Sequence, residues 1–137
     1  MNSWRTQNED ETREVGIQLV GEVGDEATVL LFGDLGAGKT TLVQGIAIGL
    51  GFDPSVVQSP SYTLIHEYRT GERLLVHVDL YRLEPSEVLG LGLEEILAGP
   101  GFKVVEWAER LPMSIDSALR LDLRRTESGS REINQRF

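Results

Sequence analysis

Eight consecutive residues, Gly33-Asp34-Leu35-Gly36-Ala37-Gly38-Lys39-Thr40, fit the phosphate-loop pattern G-x-x-x-x-G-K-[ST]. The pattern constrains the fold because such a loop has to connect the end of a strand to the start of a helix. The flanking sequence supplies both. Thr28-Val29-Leu30-Leu31-Phe32 is apolar and partly β-branched and reads as a buried strand, while the stretch from Lys39 to Leu50 has helical apolar spacing. In a chain of this composition the eight-residue pattern alone arises by chance roughly three times in a thousand, and the flanking elements lower that further.

The chemistry follows from the residue types. Glycines remove side chains so that successive backbone N–H groups can curl around an anion, and the helix behind them adds the positive end of its dipole. A polyphosphate is the natural occupant. Lys39 would reach the β- and γ-phosphates as a compact point charge, the Thr40 hydroxyl would take one place on Mg²⁺, and Thr41 can support from the next position. Lysine occurs only at positions 39 and 103, every other basic residue except the histidines being arginine, so one of the two lysines falls where lysine is chemically required.

The remaining composition bounds the class. With 137 residues, 40% apolar and 26% charged, the chain reads as a single domain over 1–137 with one sizeable core. It has no cysteine, so disulfides and thiolate metal sites are excluded. Met1-Asn2-Ser3-Trp4-Arg5-Thr6-Gln7-Asn8 lacks the apolar core of a signal peptide and reads as a frayed end, and no stretch approaches the ~18 apolar residues of a membrane span. The expected compartment is the cytoplasm, with no membrane partner. A formal charge of −9 and a pI near 4.7 argue against a surface that wraps DNA or RNA, so any RNA connection is expected to be indirect.

Further along, a first helix is expected from Asp10 to Thr12 onward, carrying Val15, Ile17, Leu19, Val20 and Val23 and stopped by Gly24-Asp25. Two short strands, 64–69 and 74–79, flank the turn Thr70-Gly71-Glu72 and read as an antiparallel hairpin, so the sheet is not purely parallel. Short helices are expected at Pro85 and over Leu93 to Leu97, followed by a strand over Phe102 to Val105. The alternation in Ala118-Leu119-Arg120-Leu121-Asp122-Leu123-Arg124 describes an edge strand with one wet face, and Arg131-Glu132-Ile133 a strand stub.

Two of these strands finish in an acid, Asp79 after 74–78 and Glu106 after 102–105. If both lie beside the 28–32 strand, both carboxylates emerge near the phosphates, where the second could bind metal directly, bind it through water, or act as a base. Ser59-Pro60-Ser61-Tyr62-Thr63 places three hydroxyl-bearing side chains around one proline; read alone it is a turn, and its composition is also able to sense a γ-phosphate. His66 and His77 lie within strands and read as structural histidines, since they lack a third ligand at zinc spacing. Trp107 reads as a packing residue or as a lever sensing the nucleotide.

Together, the 33–40 loop continued by Thr41-Leu42, Ser59-Pro60-Ser61-Tyr62-Thr63-Leu64, His77-Val78-Asp79-Leu80-Tyr81-Arg82-Leu83 and Val105-Glu106-Trp107 resemble the bacterial TsaE (YjeE) family, small ATPases of tRNA threonylcarbamoyladenosine biosynthesis. The resemblance spans about residues 12 to 131. It implies a three-layer α/β phosphate-loop NTPase fold with a mixed, partly antiparallel central sheet, and ATP with Mg²⁺ as ligand. It also implies weak intrinsic hydrolysis that becomes productive with the TsaB and TsaD proteins, resetting that machine between turnovers. Carried onto this chain, Gly33 to Thr41 hold the nucleotide. Within that segment Lys39 grips phosphates, and Thr40 and Glu106 are the metal ligands. Asp79 orients water or supports the metal, so the catalytic set is Lys39, Asp79 and Glu106. Ser59 to Thr63 form a first switch and Glu106-Trp107 part of a second. The base is contacted around Glu9 and Arg131. Family members usually continue through a fuller last strand, whereas this chain stops at Phe137.

Rival readings are a small-molecule kinase, for which no insertion is long enough to supply both a lid and an acceptor pocket; a GTPase, for which N-K-x-D is absent; and a nucleotide-dependent binding subunit without useful hydrolysis.

Overall fold

The structure, a computed structural model, describes residues 3–34, 36–57 and 65–136. A seven-stranded mixed sheet forms its middle layer. The strands are β1 (Ser3–Thr6), β2 (Thr28–Phe32), β3 (Ile65–Thr70), β4 (Arg73–Asp79), β5 (Phe102–Glu106), β6 (Leu119–Arg125) and β7 (Arg131–Arg136), and they lie in the order β1-β7-β6-β2-β5-β4-β3. β2 runs parallel to both neighbours, β5 and β6, and β4 runs parallel to β5. Antiparallel pairs close the two ends of the sheet, β3 on β4 and β1 on β7 on β6. The predicted strand over 28–32 and the predicted hairpin are thus both present.

Helices cover the two faces. On one lie α1 (Glu9–Val23) and α2 (Lys39–Gly49), packed on Val29, Leu31, Leu75, Phe102, Val104, Leu121, Leu123 and Ile133. On the other, the short α3 (Pro85–Val88) and α4 (Leu93–Ala98) pack Val88, Leu93 and Leu97 against Leu30, Phe32, Val76, Val78 and Val105. Alternate residues of each strand serve alternate faces.

α1 starts where its sequence says it should. The Asn8 side chain accepts the Glu11 N–H at 2.9 Å, and Glu9, Asp10 and Glu11 place negative charge in the first turn. It crosses α2 at a point where both helices carry glycine. A Cβ on Gly16 would lie 2.6 Å from Ile46 N and Leu42 O, and one on Gly45 would lie 2.1 Å from Arg13 O. Backbone-to-backbone packing of this kind fixes the height of α2 over the sheet, and with it the height of the loop that precedes it.

Three expectations are corrected. Residues 1–8 are not frayed throughout: Ser3–Thr6 form β1, because β7 offers a free edge and Trp4 packs against the core. The segment around 119–125 is not an edge strand, since β6 is hydrogen-bonded on both sides, to β2 and to β7. Its wet face, which carries Arg120, Asp122 and Arg124, arises instead because α3 and α4 pack over the β4–β5–β2 part of the sheet, leaving Arg124 exposed. The stub at 131–133 is a full strand, Arg131–Arg136, with six register partners in β6.

Candidate functional site

The loop after β2 reaches α2 through backbone that L side chains rarely adopt. Gly33, Gly36 and Gly38 have φ of 144°, 80° and 101°. Gly33 also tolerates no side chain, because a Cβ there would lie 2.4 Å from Leu123 O. Gly38 is the N-cap of α2 and offers no side-chain acceptor to the first N–H groups, unlike Asn8 on α1. A helix start left without a side-chain cap, behind a glycine-rich turn, is an anion-binding arrangement.

Lys39 lies in the first turn of α2 and is buried. Its Nζ donates to Gly33 O and, at 2.9 Å, to Asp34 O, and it sits 4.1 Å from the centroid of the Trp107 ring. Burial pushes its pKa below that of a free lysine, although Glu109, Glu106, Asp79 and Asp34 all pull the other way. Trp107 itself has φ of 58°, a strained value for a bulky residue, and its ring leans on Tyr81 with centroids 5.0 Å apart. Trp107 is thereby held between the ammonium and a second aromatic ring.

Strand register brings the acids to the same place. Asp79 and Glu106 are partners at the C-terminal ends of the parallel strands β4 and β5, and Glu106 is also the partner of Leu31 on β2. Period-two alternation puts Asp79 and Glu106 on the face that carries α2. Thr40 Oγ1 donates to Glu106 Oε1 at 3.0 Å, so a hydroxyl and a carboxylate converge at the loop's end. Asp79 accepts the Tyr81 N–H at 3.0 Å. Burial, reinforced by the nearby Glu106, raises the Asp79 pKa above the ordinary carboxylate value despite that hydrogen bond.

On the other side of the loop, Asn8, Glu9, Thr12, Gly38, Thr41, Gly129 and Arg131 line a cavity of about 130 Å³. The sequence-predicted residues Glu9, Thr41 and Arg131 therefore meet at one cavity beside Gly38. Arg131 stands against the loop, 3.7 Å from where a Gly38 Cβ would be. Among the remaining expected site residues, Gly33, Asp34, Gly36, Ala37 and Gly38 form the loop, while Leu35 and the proposed switch Ser59, Pro60, Ser61, Tyr62 and Thr63 lie outside the described residues.

Two residues at the site were not singled out from the sequence for it. His77 is the buried core histidine its strand position suggested, yet its Nε2 lies 2.5 Å from Glu106 Oε2. Glu109, in the single helical turn Ala108–Arg110 after β5, accepts the Gly33 N–H at 2.7 Å and so sets a carboxylate on the first amide of the loop. The signals for His77 are its place in the His77-to-Leu83 motif and its spacing of two from Asp79, which puts both on one face. Glu109 follows Glu106 by three residues, a spacing that the reversal at Trp107 makes informative only once the backbone is known.

No helix among the described residues is long and apolar enough to cross a membrane. Residues 6–133 match the family model for the threonylcarbamoyl adenosine biosynthesis protein TsaE. Among curated proteins, the chain is 44% identical over 129 residues to a tRNA threonylcarbamoyladenosine biosynthesis protein TsaE from Nostoc sp., covering 91% of this chain and 79% of that one. It is 42% identical over 135 residues to the TsaE of Bacillus subtilis, covering 95% of this chain and 82% of the relative. Among solved structures, Bacillus subtilis YdiB superposes with a TM-score of 0.73 at 36% identity, over 98% of this chain and 83% of that one. The chain belongs to the TsaE family.

Proposed function

We propose that this protein is an ATP-binding and ATP-hydrolysing switch of tRNA N6-threonylcarbamoyladenosine modification, acting in the cytoplasm with the TsaB and TsaD proteins. In this reading the mixed sheet and its loop form a phosphate-loop NTPase fold. The observation that carries it is the convergence of the uncapped start of α2, the Lys39 ammonium and the Thr40–Glu106 pair at one end of β2 and β5. The family's place in threonylcarbamoyladenosine biosynthesis supplies the biological setting.

The donor set suits Mg²⁺, a hard cation that takes oxygen ligands and keeps several waters. Thr40 Oγ1 and a Glu106 carboxylate oxygen are both hard donors, and they already lie within hydrogen-bond distance of each other. Bound there, the cation would neutralise charge on the β- and γ-phosphate oxygens. The main-chain N–H groups of Gly36 to Thr40 would cradle the phosphates. Lys39 would exchange its loop carbonyls for phosphate oxygens, moving its charge to where negative charge accumulates.

Hydrolysis adds water across the terminal anhydride: the water oxygen bonds to the γ-phosphorus, the bond to the β,γ-bridging oxygen breaks, and ADP and phosphate leave. Asp79, a carboxylate whose burial makes it more basic than usual, would orient that water or take its proton. Glu9, Thr41 and Arg131, grouped beside Gly38, would meet the adenine end.

The test is phosphate release from ATP and Mg²⁺, alone and with purified TsaB–TsaD. Slow release alone and faster release with the partners is the expected result. No release under either condition favours a binding subunit, and phosphate transfer to a metabolite favours a kinase.

A further inference from the structure

We propose that His77 is a positioning residue for the magnesium–nucleotide site: by donating its Nε2–H to Glu106 Oε2, it holds the Glu106 carboxylate in the orientation that meets Thr40. The inference rests on the nucleotide reading above. It adds a residue to the machinery that the family motifs do not assign by themselves.

Three observations carry it. First, the register of the parallel pair sets His77 beside Val104 and Asp79 beside Glu106, so the imidazole lies one side-chain layer below Glu106 on the same face. From there it reaches Oε2, while Thr40 lies nearer to Oε1. The contacts are 2.5 Å from Nε2 to Oε2, and 3.0 and 3.3 Å from Oγ1 to Oε1 and Oε2. Glu106 is therefore held by donors from two different elements.

Second, both members are out of water, with His77 at 0% and Glu106 at 3% exposure. A buried carboxylate short of hydrogen-bond donors is costly, and the Thr40 hydroxyl, 3.0 Å from Oε1 and 3.3 Å from Oε2, has a single proton to give to the two oxygens. The imidazole supplies the missing donor and is itself locked by the surrounding core.

Third, His77 Nδ1 has no hydrogen-bond partner among the described residues. Among the described residues, the ring's hydrogen-bond partner is Glu106. The acceptor character of a carboxylate assigns a proton to Nε2. A residue needed only to fill the core would be served better by leucine, which buries no nitrogen. Second-layer groups that orient a metal ligand are worth about 10–100-fold in metal affinity.

The test compares His77→Asn with His77→Gln, whose amides reach about as far as Nδ1 and Nε2 respectively. The probe is a fluorescent N-methylanthraniloyl ADP, titrated with and without MgCl₂ on the full chain. Magnesium-free affinity should stay within about twofold of wild type in both variants. The Mg²⁺ concentration giving half the magnesium-dependent tightening should rise about 10-fold or more in His77→Asn and recover most of the way in His77→Gln. Equal responses in the two variants, whether both unchanged or both impaired, overturn the positioning role and leave a packing histidine.

A wild-type protein that binds the probe with no magnesium dependence overturns the metal reading and this inference with it. A wild type that does respond, paired with unresponsive variants, removes this inference alone. A measurement independent of any variant is the long-range ¹H–¹⁵N spectrum of the wild-type imidazole. It should show a protonated Nε2, and the opposite tautomer contradicts the proposal.

Discussion

The two faces of the sheet bury charge in different ways. Under α3 and α4 the strands contribute Leu30, Phe32, Val76, Val78 and Val105, and the buried charged group is Lys103, whose ammonium ends on Gly99 O at 2.6 Å, at the C-terminal cap of α4. Under α1 and α2 the strands contribute His77, Asp79 and Glu106 within one patch, with Lys39 from α2 above them. Lys103 is satisfied by a helix C-terminus and asks for nothing more. The second patch holds an ammonium with a lowered pKa and a carboxylate with a raised one, both disfavoured in their charged forms by burial. Groups held in that state cost stability and are repaid when a ligand arrives, which is the usual reason such clusters persist.

The largest expected effect breaks the support of that patch. Gly45→Ala drives a Cβ to 2.1 Å from Arg13 O, backbone against backbone, and should destabilise the fold by ~3 kcal/mol or more. Gly21→Ala, on the same pair of helices but with nothing within 4 Å of the new Cβ, should stabilise it by roughly 0.5–1 kcal/mol. Thermal melts of both report whether close backbone contact at the α1–α2 crossing limits stability.

Next, the two lysines can be exchanged for alanine separately. Lys39→Ala should lose about 10–100-fold in Mg²⁺–ATP affinity, the loss of a charge-assisted contact, while keeping its fold. Lys103→Ala should leave nucleotide affinity unchanged and cost about 1–2 kcal/mol through lost packing and the abandoned Gly99 carbonyl. A Lys103 variant that weakens nucleotide binding would erase the division between the faces.

The smallest effect concerns pH. The folded pKa of Asp79 is raised above 3.8, so folding disfavours its charged form, and that penalty is absent below pH 3.8 and grows until pH passes the folded value. Asp79→Asn removes the penalty. Its melting temperature should exceed that of wild type near pH 7, and the advantage should vanish below pH 3.8. A variant less stable than wild type at pH 7 would mean that the ionised carboxylate is stabilising where it sits.

Much of this site could be read from the sequence because its parts are local. The strand over 28–32, the glycine pattern and the acids closing two apolar strands each carry their own signal within a few residues. What could not be read depends on pairing between distant segments. Ser3–Thr6 has little strand propensity of its own and is ordered by β7, 125 or more residues later in the chain by register, with Thr6 facing Arg131 and Ser3 facing Asn134. β6 alternates like an edge strand because a strand with helices on one side only has the same pattern as a true edge. The His77–Glu106 contact needs the parallel register of β4 and β5, which no residue type announces, and the Glu109 contact needs the left-handed turn at Trp107.

The central claim is that the glycine loop and Lys39 grip a triphosphate, and the most direct measurement is equilibrium binding of ATP with Mg²⁺ followed through Trp107. Because the Lys39 ammonium lies 4.1 Å from that ring, withdrawing it should change the indole emission. With Trp4→Phe removing the other tryptophan, saturable binding with a fluorescence change is predicted for otherwise wild-type protein, and for Lys39→Ala an affinity about 10–100-fold weaker without that change. Equal ATP affinity in the presence and absence of the Lys39 side chain would contradict the account.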